Sequence, residues 1–154
     1  MKERIRSIGK KIIKDSFPAL QGEKIHFYAM WLRFYAFSAW IPPFFRFIVI
    51  STRTRNFTDE ILTGIMAHEL CHQERYLGMG TGRYMKFAAG FLFSKKVQAA
   101  EEKATDRLTI EKGYGRHLYE LTLISRKDKN HKKIINNYLS PEEIKAYALK
   151  SGKW

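Results

Sequence analysis

Two histidines and a glutamate carry the first chemistry in this chain: His68-Glu69-Leu70-Cys71-His72 spells H-E-x-x-H. On a helix of 3.6 residues per turn, side chains four apart stack on one face. His68 and His72 could then share one tetrahedral zinc, which takes neutral imidazole nitrogen readily. Glu69 would be placed to accept a proton from a water activated at that ion. The flanks predict the helix: Thr58 is a good N-cap, and Asp59 and Glu60 complement the positive end of the dipole. Ile61, Ile65, His68 and His72 fall on one stripe, and Gly78 and Gly80 mark the end. Chance alone writes such a pentapeptide in roughly one chain in a few hundred of this size, so a third ligand must decide.

Glu102 and Asp106 supply the candidates. Val97–Leu108 is rich in helix formers, with no Pro or Gly before Gly113. Glu102 and Asp106 are neighbours on one face. Like charges so placed cost an isolated helix about 0.2–0.5 kcal/mol, a penalty that a shared cation reverses. The ordinary alternative, a solvated pair with Lys103 or Arg107, is worth little, and the upstream motif tips the balance towards a ligand. Glu101 could serve instead, but only Glu102 has an Asp four residues on.

With these residues in place the chain resembles the gluzincin metallopeptidases. Within them it is similar to the small soluble minigluzincins, relatives of the catalytic domains of CAAX-prenyl-protease and HtpX-like membrane peptidases. The resemblance rests on His68-Glu69-x-x-His72, on Glu102-x-x-x-Asp106-Arg107 and on a strand-like Ser38-Ala39-Trp40. A second strand, Phe45–Ile50, precedes the zinc helix in the same order, and the match covers residues 23–145. It implies a zinc ion on His68, His72 and Glu102, Asp106 orienting a ligand imidazole by a hydrogen bond, Glu69 as general base and acid, and a peptide or protein substrate. Ser38 stands where the family usually carries Asn. Gluzincins also need a side chain that steadies the tetrahedral oxyanion. His117 and Tyr114 are the leading candidates, with Arg116 and Tyr119 beside them and His131 and His26 less well placed.

The elements that must position these residues read as α+β. Lys24–Trp31, Arg33–Ile41 and Phe44–Thr54 predict a three-stranded sheet, antiparallel with a mixed arrangement as the alternative. It would pack against the H-E-x-x-H helix, the glutamate helix and flanking helices. If Arg33–Ile41 is the sheet edge, a peptide can lie along it as an added strand. Ten of the 24 residues from Phe27 to Ile50 are aromatic, more than one small sheet usually hides. A transmembrane span is excluded here, because the longest charge-free piece, Phe34 to Phe45, is 12 residues against the about 20 required. Met1–Phe17 predicts a basic amphipathic helix packed on the sheet, with membrane-surface or nucleic-acid anchoring as the functional alternative. Met79–Ser94 reads as a buried helical link, or as a piece that caps a cleft or touches a membrane. Arg116–Ser125 is helical again, and Ser140-Pro141-Glu142-Glu143 opens a last helix with a capping box. Residues 146–154 form a tail, with Lys150–Trp154 expected to be loose or to fold into the cleft as an inhibitor.

The 154 residues suffice for a single domain with a real core. With 45% hydrophobic and 28% charged residues, the composition is that of a folded rather than a disordered chain. One cysteine, Cys71, rules out an internal disulfide and fits the reducing cytoplasm. It sits off the metal stripe and reads as a core residue. The net charge of +13 reads first as a solvated basic surface and otherwise favours anionic partners, a membrane surface or nucleic acid, although no nucleic-acid recognition motif is visible.

Overall fold

A computed structural model describes all residues from Met1 to Trp154. The fold is α+β, with helices α1 (Lys2–Ser16), α2 (Asp59–Leu77), α3 (Thr81–Phe93), α4 (Lys95–Thr109), α5 (Gly115–Lys127) and α6 (Pro141–Lys150). Strands β1 (Ile25–Met30), β2 (Ala36–Ile41) and β3 (Phe45–Ser51) form one sheet in the order β1-β3-β2. No helix is long and apolar enough to cross a membrane.

The sheet is mixed, the second of the two arrangements that the sequence allowed. β2 pairs antiparallel with β3, Ser38 opposite Ile48, whereas β1 runs parallel to β3, Phe27 opposite Ile48. Burial explains the order. β3 carries the near-continuous apolar run Phe47-Ile48-Val49-Ile50, whose last three residues are buried, and such a strand takes the centre. The tight β2–β3 connection uses one side of β3, so β1 adds on the other.

α2 is the hub. Thr58 accepts a hydrogen bond from the Ile61 N–H as its N-cap, Gly78 ends it, and residues from Leu62 to Gln73 are buried almost without a break. α5 approaches so closely that a Cβ on Gly64 would lie 2.6 Å from the His117 carbonyl oxygen. α1 turns Ile5, Gly9 and Ile12 inward and its basic residues outward. Its apolar stripe is therefore spent on the core, with the Phe27 ring against Gly9, and the sheet-packed reading of this helix holds. Cys71 is fully buried in the same core as expected, and burial pushes its thiol up to about 12.

A second cluster of Ile110, Leu118, Leu139, Ile144 and Ala148 joins α5 and α6, and Leu121 packs against both clusters. The capping box at Ser140 forms as read, with Ser140 and Glu143 each accepting from the other's backbone N–H. The tail is not loose. Trp154 stacks edge-on to Tyr119 at 5.3 Å, with the Arg116 guanidinium 5.7 Å above it. It does not enter the cleft. α3 departs from the buried link: Tyr84 alone is buried on it.

Candidate metal centre

His68 and His72 lie one turn apart on the buried stretch of α2, and Glu102 comes from α4, which lies against it. One Glu102 carboxylate oxygen sits 3.1 Å from His68 Nε2 and 3.4 Å from His72 Nε2. The three donor atoms all lie within 4.8 Å of one another and all three residues are buried. The other ring nitrogens face outer carboxylates. Asp106 Oδ1 is 3.0 Å from His68 Nδ1, and Glu101 Oε1 is 3.4 Å from His72 Nδ1. Thr105 Oγ1 adds a contact of 3.2 Å to His72 Nδ1. The choice left open between the two glutamates thus resolves. Glu102 points to the centre, and Glu101 turns outward to a two-pronged pair with Arg75 at 2.8 and 2.7 Å.

Charge balance tests whether a cation fits. Glu69, Glu101, Glu102 and Asp106 are all buried here, and Arg75 is the one guanidinium paired with them. Buried carboxylates without partners are costly. The histidines respond: burial pulls both down, but Asp106 and Glu102 hold His68 well above its ordinary value. Glu102 and Glu101 likewise lift His72 to about 9. Burial opposes ionisation of Glu102, yet the two histidines hold its carboxyl well below the usual range. Two imidazole nitrogens and a carboxylate oxygen converging from buried positions form the donor set of a divalent transition-metal site. The residues present could hold a metal ion.

Glu69 lines a cleft of about 490 Å³ that opens beside the donors. Its carboxyl is raised by burial, against the opposing pull of His72 and His68. β2 forms one wall. Ser51 N–H donates to the Tyr35 carbonyl and Trp40 N–H donates away from β3, to the Tyr84 hydroxyl at 3.0 Å. By the alternation of an antiparallel pair, Ala36 and Ser38 then turn their backbone groups to the free edge. Ser38 and Ala39 line the cleft, whereas Trp40 stands outside it, sandwiched between Tyr84 and Arg46. The Ser38 hydroxyl faces inward, accepting from Gln73 Nε2 at 2.8 Å and donating to the Glu69 carbonyl at 3.2 Å. It ties β2 to α2.

Neither leading oxyanion candidate reaches the cleft. Tyr114 hydroxyl pairs with Ser16 Oγ at 2.9 Å, and His117 packs its backbone on Gly64 and a ring 5.6 Å from Tyr114. The turn after α4 carries them to the α1–α2 junction. Arg116 and Tyr119 hold Trp154, and His26 stacks on Phe45 at 4.6 Å. His131 does line the cleft, its ring tilted against that of Tyr35 at 4.0 Å.

A residue that sequence reasoning missed stands closer. Tyr138 lines the cleft with its ring 5.9 Å from that of His68. Burial, then the nearby Glu102, Glu69 and Asp106 charges, push its phenol well up, so it stays protonated. Its place is set next door, where Leu139 N–H donates to Asp106 Oδ2 at 2.8 Å. Comparison with known protein families, characterised proteins and solved structures finds no match.

Proposed function

We propose that this protein is a zinc-dependent metallopeptidase of the gluzincin type. The observation that carries the proposal is the convergence of His68, His72 and Glu102 beside a cleft that holds Glu69 and a free strand edge. His68 Nε2, His72 Nε2 and a Glu102 oxygen would hold the ion, with Asp106 and Glu101 fixing the two rings through Nδ1. When bound, zinc supplies Lewis acidity and lowers the pKa of a water on it towards about 7.

The chain's own groups do the rest. Glu69, its carboxyl raised by burial, takes a proton from the attacking water and returns it to the leaving amine. Tyr138 donates a hydrogen bond to the developing oxyanion from its protonated phenol. The Ala36 and Ser38 backbone groups align an extended peptide along the cleft. The cleft's open volume and the placement of Trp154 on Tyr119 favour this over a tail-plugged, latent protein.

The test is digestion of a mixed peptide library, read by mass spectrometry, with zinc-loaded wild type beside Glu69→Ala. Cuts made by wild type, abolished by a chelator, restored by zinc and missing from the variant are the expected result. A zinc-loaded wild type that cuts nothing would reduce the site to a structural one.

A further inference from the structure

We infer that α3 docks the protein onto an anionic lipid bilayer, with the mouth of the cleft held at the membrane surface. α3 has two apolar faces. Tyr84, Phe87, Ala88 and Phe91 line the cleft. Met85, Ala89 and Phe93, spaced four residues apart, stand outside it, and Leu92 lines its rim between the two faces. That second stripe has no partner, Met85 being 56% exposed and Phe93 88%, and Leu92 at the cleft rim is still 71% exposed. A helix apolar on both sides is normally buried between neighbours, so a medium for the outer face is missing from the chain itself.

Charge identifies the medium. From Tyr76 to Ala100 there is no Asp or Glu, while Arg83, Lys86, Lys95 and Lys96 are all exposed and none makes an ion pair. Basic side chains flanking exposed Phe, Leu and Met are the pattern of a helix lying in a bilayer interface. Each Lys or Arg close to an anionic leaflet adds to the attraction. Nucleic acid would engage the lysines but leaves Phe93, Leu92 and Met85 unburied. The apolar surface also continues across the cleft mouth, where Phe34 and Phe37 on the facing wall are 40% and 42% exposed. α1, the other basic amphipathic helix, has already buried its stripe in the core. The inference stands apart from the zinc chemistry, since neither Met85 nor Phe93 touches the cleft or the metal donors.

The experiment is co-sedimentation with phosphatidylcholine vesicles with and without about 30% phosphatidylglycerol, whose charge the lysines would read. Full-length protein should pellet with the anionic vesicles only, and less as salt rises. Met85→Asp/Phe93→Asp and Lys95→Glu/Lys96→Glu should each weaken binding by about tenfold or more, with zinc affinity and thermal melting unchanged. Three results would overturn the inference. One is no pelleting of wild type with anionic vesicles. Another is retained pelleting of Met85→Asp/Phe93→Asp. The third is a solution dimer, seen by analytical ultracentrifugation, that this variant dissolves, which would assign the stripe to a second copy.

Discussion

Arg75 clasps Glu101 through hydrogen bonds of 2.8 and 2.7 Å, and the same carboxylate lies 3.4 Å from His72 Nδ1. Glu101 is buried, which opposes its charge, yet Arg75 and His72 hold its carboxyl down at about 2. An anion is thus fixed behind one histidine as Asp106 is fixed behind the other. Removing such an outer partner typically costs 10–100-fold in metal affinity, so Glu101→Gln and Asp106→Asn should each weaken zinc binding by about that factor. Glu102→Gln, which removes a donor, should weaken it further. Competition against a chromophoric chelator measures all three. Unchanged affinity in Glu101→Gln would leave its pair with Arg75 a purely structural tie.

The parts legible in the sequence were those set by local spacing. Thr58, the His68/His72 step and Ser140-Pro141-Glu142-Glu143 each act within one or two turns of helix, and each sits as read. Glu102 was legible because Asp106 follows it at the same step. Tyr138 was not, because a hydrogen bond across 33 residues, Leu139 to Asp106, places it. Ahead of its capped helix it has no periodicity to mark it. Tyr114 and His117 failed for the converse reason: proximity in sequence to α4 says nothing about which way the turn at Gly113, with its positive φ of 93°, sends the chain. The direction of β1 was likewise a tertiary choice, decided by which strand was apolar enough for the centre.

Protons must leave when the ion arrives. Both histidines are held above their ordinary value despite burial, His72 at about 9. At pH about 7 the pair therefore carries about two protons that a zinc ion bound there would displace. Calorimetric titration in buffers of different ionisation enthalpy should report a release near that number, and a release near zero would show neutral rings. The same shift acts on the chelator-treated protein. A folded pKa above the unfolded one stabilises fully below about 6.5, and His72's share is lost as pH climbs through about 9. Denaturant midpoints should fall across that window.

Tyr138 offers the proposed oxyanion its donor, and the phenol's raised pKa, from burial and then the carboxylates around it, keeps the proton on at working pH. Tyr138→Phe preserves the ring against His68 and removes only the hydroxyl. The loss should fall on kcat by about 100-fold or more, the usual cost of one oxyanion donor, with KM and zinc affinity held. A variant with wild-type kcat would return the role to another group, His131 being a further titratable side chain that lines the cleft.

The proposed peptide-binding edge separates two neighbouring residues that look equivalent in the sequence. Ser38 turns its backbone N–H to the cleft edge, whereas Ala39, opposite Phe47, belongs to the pairs bonded to β3. Proline removes an N–H and is tolerated on an edge strand only where that group faces outward. Ser38→Pro should therefore keep the β-ladder and zinc affinity, losing only the stability that its hydroxyl supplies, while lowering kcat/KM for peptides by about tenfold, the worth of one main-chain hydrogen bond. Ser38→Ala controls for the lost hydroxyl, which serves Gln73 and the Glu69 carbonyl rather than the cleft; it should cost stability but little turnover. Ala39→Pro should instead break the ladder and lower the melting temperature. Equal turnover by Ser38→Pro and wild type would remove strand addition from the mechanism and leave the apolar cleft walls to orient the substrate.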